Sequence, residues 1–79
     1  MAITVHFFGA TADITGQRSV DVEMPTEIRA SDVFEKLVAA HPQLGRHKLH
    51  ISINQQYATG DEIVRDGDEI AIFTAVSGG

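Results

Sequence analysis

The sequence predicts an α+β domain in which a mixed sheet of four to five strands packs on one main helix. Three observations predict it. Two N-terminal segments alternate apolar and polar residues with period two, a single segment switches to helical spacing, and a last alternating segment follows a tight-turn signature. The chain has 79 residues, which suits one domain. A domain of that size buries only somewhat more than ~60% of its unfolded surface. One core fits within it, but hardly a deep pocket as well, which favours a module that docks to something larger.

Residues 1–8 place Ile3, Val5 and Phe7 on one face and Thr4, His6 and Phe8 on the other, a strand pattern. Residues 9–17 contain two glycines and read as a connection with one helical turn around Thr11 to Ile14. Residues 18–24 alternate again, Val20, Val22 and Met24 against Ser19, Asp21 and Glu23, and Pro25 ends the run because proline cannot donate to a ladder. In residues 31–41 the period changes: Val33, Phe34, Leu37, Val38 and His41 form one helical stripe that belongs to the core. Ser31 is the expected N-cap, with Asp32 favourable near the positive end of the helix dipole. No capping box is expected, since Phe34 lies three residues beyond Ser31. Pro42 stops the helix.

Residues 49–54 form a third strand with Leu49, Ile51 and Ile53 on one face, followed by a turn at Asn54-Gln55-Gln56 and a short edge strand at Tyr57-Ala58. Asp66-Gly67-Asp68 is a tight turn, since glycine tolerates positive φ and aspartate bonds its own backbone; it reads as turn chemistry and not as a catalytic carboxylate pair. Residues 69–74 are the last strand. The order strand, strand, helix, strand, short strand, strand is a β-grasp arrangement, with the first and last strands at the sheet centre. A ferredoxin-like fold would need a second helix. Residues 1–74 then form the β-grasp domain, and residues 75–79, which lack any pattern, a flexible C-terminal diglycine tail.

Composition excludes several classes. There are no cysteines, so neither a disulfide scaffold nor a thiol nucleophile is available. His47 and His50 are three apart without a nearby acidic pair and read as solvated surface histidines, so no metal site is expected. Eleven acids face six bases, for a net charge of −5. The bases make no stripe, which disfavours nucleic acid and points to electropositive partners. The longest apolar runs are too short for a membrane span, and the N-terminus lacks a signal peptide's basic flank, so a cytoplasmic location is expected.

The chain resembles the small subunit of molybdopterin synthase and, more loosely, the thiamine-pathway carriers: the MoaD/ThiS family of ubiquitin-like proteins. The resemblance covers essentially the whole chain. It is carried by Phe7-Phe8-Gly9, by His41-Pro42 at the helix end, by Ile53-Asn54, by Asp66-Gly67-Asp68-Glu69 and by Val76-Ser77-Gly78-Gly79. Ala12 and Asp13 stand where the family often has Arg-Glu, and Thr74 and Ala75 where it often has two prolines.

The resemblance implies a sulfur carrier whose working group is the carboxylate of Gly79, with Gly78 giving slim passage into an enclosed site. An E1-like enzyme would adenylate this carboxylate with ATP, and a sulfur donor would displace AMP to leave a thiocarboxylate. The large synthase subunit would then pass the sulfur to a pterin precursor and supply the catalytic groups. The carrier itself is expected to bind no cofactor. Residues 75–79 span roughly 17 Å when extended, and glycine's permissive dihedrals let the end bend toward the reacting atom. Partner-binding residues are expected to be Phe73 and Phe8, which alternation puts on the face away from the helix, with Val76 and Ser77 beside them. Other sulfurated products (thiazole, cysteine, a siderophore-type thiocarboxylate), a ubiquitin-like modifier of lysines, and a binding module with an incidental diglycine stay open.

Overall fold

The computed structural model describes residues 2–24 and 27–74. Strand β1 (Ala2–Phe7) leads into helix α1 (Ala10–Thr15), then strands β2 (Ser19–Glu23) and β3 (Ile28–Arg29). Helix α2 (Ala30–Ala40) and a 3-10 helix (Pro42–Arg46) follow, then β4 (Leu49–Ile53), β5 (Gln56–Ala58), β6 (Ile63–Val64) and β7 (Glu69–Thr74). The main sheet has the order β2-β1-β7-β4-β5. Its central pair is parallel, Val5 opposite Ile70 and Phe7 opposite Ile72, and the β1–β2, β7–β4 and β4–β5 pairs are antiparallel. This is the predicted β-grasp. Pro25, expected to end the second strand, and residues 75–79 lie outside the described residues.

One face of the sheet is the core. Ile3, Val5 and Phe7 of β1 and Ile70 and Ile72 of β7 are buried together with Ala30, Val33 and Leu37 of α2. Phe34 and Val38, expected in the core, pack only half-buried at its margin. Helix α2 starts one residue before the predicted range, and Ser31 is not its N-cap: Arg29 is. The reason is tertiary. The amide of Ala30 donates to the carbonyl of Glu62 at 2.8 Å and that of Ser31 to the carbonyl of Gly60 at 2.9 Å. Backbone carbonyls thus satisfy amides that a capping hydroxyl would otherwise serve. Asp32, three residues beyond Arg29, accepts the Arg29 amide at 3.1 Å, the acidic half of a capping box that the Ser31 register had excluded.

Three elements escape periodicity. Strands β3 and β6 form a separate two-stranded ribbon of two residues each, too short to show a period. Yet Val64 of β6 is wholly buried. In the 3-10 helix after α2, Pro42 opens the turn and Leu44 is wholly buried against the core. The expected turn after β4 narrows to two residues. Asn54 and Gln55 have φ of 50° and 72°, and Ile53 pairs with Gln56, so both central residues are left-handed as a tight hairpin demands.

Candidate sheet-face interface

Alternation along the strands sends a second set of side chains to the face opposite α2. Along β7 these are Glu69, Ala71 and Phe73. His6 lies beside Ala71 on β1, and His50 and Ser52 lie beside Phe73 and Ala71 on β4. Tyr57 of β5 adjoins Ser52. Among the described residues no helix covers this face, and Phe8 stays 55% and Tyr57 78% exposed.

The aromatic rings form two groups. Phe73 stacks on His50 at a centroid distance of 5.6 Å and an interplanar angle of 27°, and Tyr57 leans on Phe73 at 5.8 Å. Phe8 stacks on His6 at 6.3 Å and 27°. Phe8 and Phe73, selected from the sequence, therefore share the open face, as their parity requires. His50 is exposed, as expected of a surface histidine, and it is also a ring partner of Phe73. His50 and Tyr57 were missed as members of the group. The signal was present, since both alternate with core-facing neighbours, but only the β4–β7 and β4–β5 registers bring them to Phe73. Val76, Ser77, Gly78 and Gly79 lie outside the described residues.

The end of β7 is fastened from the other side by α1. Thr11 is wholly buried. Its Oγ1 lies 2.7 Å from the Phe8 carbonyl oxygen and 3.0 Å from that of Ile72, so one proton is shared between two acceptors. The Phe8 amide donates to the same Ile72 carbonyl at 3.1 Å. The strand that carries Phe73 and Thr74 is thus held by a ladder on each side and by this hydroxyl.

The acidic turn is structural, as its pattern predicts. Asp66 Oδ1 accepts the Ala2 amide at 2.7 Å. Asp68 Oδ2 accepts the Arg65 amide at 2.8 Å, and Asp68 Oδ1 accepts Asn54 Nδ2 at 3.1 Å. Gly67 supplies φ of 83°. In the loop before β6, the Glu62 carboxylate accepts the amides of Thr59 at 2.8 Å and Gly60 at 2.9 Å. These bonds, the Thr59 amide first, hold it below its ordinary value of 4.5. Among the described residues no three His, Asp or Glu side chains gather as metal ligands, and no helix is long and apolar enough to cross a membrane. What the described face offers chemically is a surface for docking; its recess over Ala71 is shallow, about 320 Å³.

Comparison with known proteins gives a consistent result. A family model described as the ThiS family matches residues 5–79. The chain is similar to the human molybdopterin synthase sulfur carrier subunit, with 34% identity over 98% of this chain and 93% of the relative. It is equally similar, at 34%, to small archaeal modifier protein 1 of Haloferax volcanii, over 91% of this chain and 94% of the relative. The crystal structure of that archaeal protein, SAMP1, superposes with a TM-score of 0.86 and 29% identity, covering all of both chains.

Proposed function

The chain belongs to the ThiS family, and from that premise we propose that it is a ubiquitin-like sulfur carrier acting as the small subunit of a molybdopterin synthase. The observation that carries this reading is similarity over nearly its whole length to a protein named as that subunit, in a chain that ends in Gly78-Gly79. The working group is the Gly79 carboxylate. A free α-carboxylate has a pKa of ~3.3–3.7, so it is ionised at neutral pH and a poor electrophile. Activation comes first: the carboxylate attacks the α-phosphorus of ATP on an E1-like enzyme, and pyrophosphate leaves. Hydrosulfide from a sulfur donor then attacks the acyl carbon and AMP leaves, which gives the thiocarboxylate. On the large synthase subunit its sulfur attacks a carbon of the pterin precursor and displaces an oxygen leaving group, and water then cleaves the acyl–sulfur bond, which restores the carboxylate and leaves the sulfur on the pterin as a thiolate.

The carrier supplies the reacting atom and the docking face, while the larger partner supplies acid, base and oxyanion groups, where preorganised dipoles act most strongly. Docking uses the open sheet face with Phe8 and Phe73, joined by Tyr57 and His50, and Val76 and Ser77, next to the diglycine in sequence, bind the same partner. Exposed aromatic groups of this kind mark interaction sites. Accurate seating matters, since a displacement of about 1 Å can cost ~10²-fold in rate. A cytoplasmic location is part of this reading.

The similarity to a small archaeal modifier protein favours a second reading, conjugation of the activated Gly79 to lysines of target proteins. One experiment addresses both. The protein is incubated with ATP, an E1-like enzyme of the same cell and sulfide, and its intact mass is measured. A gain equal to one oxygen replaced by sulfur, abolished by deletion of Gly79, supports the carrier, whereas isopeptide-linked conjugates single out the modifier. No change with any such enzyme overturns both. Deletion of Gly79 is expected to leave thermal stability unaltered.

A further inference from the structure

The recess on the open face has a chemistry that the aromatic groups do not explain. Its floor is Ala71, the smallest side chain of the three that β7 sends to this face. His6 and Phe8 form one wall, Ser52 and Asn54 the other, and Glu69 stands at the end away from Phe73. The Glu69 carboxylate is 66% exposed and is held in place rather than free. Its Oε1 lies 3.1 Å from His6 Nε2. Its backbone is fixed by Asn54, whose Oδ1 accepts the Glu69 amide at 3.0 Å and whose own amide donates to the Glu69 carbonyl at 2.8 Å. Only Oε1 is engaged by His6, and Glu69 is among the residues that line the recess. A slot with a fixed carboxylate at one end and a 55% exposed ring at the other is complementary to a planar cation.

We propose that this recess receives an arginine side chain of a partner protein, its guanidinium paired with Glu69 and lying against the Phe8–His6 stack. Arginine fits better than lysine on three counts. The planar fork meets a carboxylate through two bonds, it stacks on an aromatic face, and it sheds water more readily than an ammonium. The net charge of −5 draws a basic partner to the molecule as a whole. Resting on the carrier reading for the partner's identity, the arginine belongs to the enzyme that activates Gly79.

The test has two arms. In the first, the isotope-labelled protein is titrated with N-acetyl-L-arginine amide, with the lysine and leucine amides as controls, and backbone amide shifts are followed by NMR. The arginine amide is expected to move the His6, Phe8, Glu69 and Ala71 signals at concentrations where neither control does, and Glu69→Gln to abolish the response. A response equal to the leucine or lysine amide, or one unchanged by Glu69→Gln, overturns the proposal. In the second arm, affinity for the activating enzyme is measured at several salt concentrations. Losing a hydrogen bond to a charged group predicts about 10-fold weaker binding for Glu69→Gln with a shallower salt dependence. Ala71→Leu, which fills the recess from the exposed face, weakens binding with its melting temperature retained. Wild-type affinity and salt slope in Glu69→Gln overturn the proposal. Failure of wild-type protein to load at all would instead strike the carrier reading, and the first arm would still decide the recess.

Discussion

Replacing Phe73 with alanine separates docking from folding. Phe73 lies on a central strand with ladders on both sides, a position that in many sheets would make it core. Here it is half-buried, and its ring lies against other side chains of the open face, His50 at 5.6 Å and Tyr57 at 5.8 Å. An aromatic pair adds ~0.5–1.5 kcal/mol, and on a partly wetted face each of the two contacts belongs at the lower end. The predicted loss is therefore ~1–2 kcal/mol, against ~3–5 kcal/mol for truncating a fully buried phenylalanine. That corresponds to a fall of roughly 5–15 °C in melting temperature for a domain this small, with a cooperative transition retained. Binding should suffer more. A central aromatic anchor costs ~2 kcal/mol or more on truncation, or about 30-fold in Kd. Thermal unfolding by circular dichroism gives the first quantity, and calorimetric titration with the activating enzyme gives the second. An unfolded variant would show that Phe73 is a core residue, and wild-type affinity in a folded variant would remove the open face from docking.

The opposite pattern is predicted for Leu44→Ala: this wholly buried side chain should cost ~2–5 kcal/mol in a denaturant melt, while any variant protein that remains folded at low temperature binds the enzyme normally. Glu62 gives a pH-dependent test. Its carboxyl is held below 4.5 by the Thr59 and Gly60 amides, so its stabilising effect is complete above about that value and is lost as the pH falls through the lower folded-state value. The urea midpoint of wild type should exceed that of Glu62→Gln at pH 7, with the gap closing on acidification; a constant gap from pH 7 to pH 3 would show that the loop bonds do not depend on the charge.

Legibility in the sequence followed the length over which a pattern could repeat. Strands β1, β2, β4 and β7 and helix α2 each run five residues or more, enough for period two or 3.6 to declare itself, and the Asp66-Gly67-Asp68 turn is local chemistry. The open-face placement of Phe8 and Phe73 is parity alone. By contrast, β3 and β6 hold two residues each, and neither has a period to read. Their pairing depends on a partner more than 30 positions away. The N-cap of α2 moved from Ser31 to Arg29 because carbonyls of the loop before β6 occupy the Ala30 and Ser31 amides, a competition invisible to local capping rules. Leu44 sits in a segment carrying proline and glycine, and composition there reads as connection whether or not one side chain reaches the core. The amino-acid sequence by itself determined the period of each long element, which face of it is apolar, the acidic balance and the terminal diglycine, since these depend on neighbours within a few residues. The register of each strand pair was decided by the tertiary structure alone, and with it the joining of His50 and Tyr57 to Phe73 and the placing of Glu69 and His6 around Ala71, because a sheet assembles its surface from residues distant in the chain whose register only the folded ladders set.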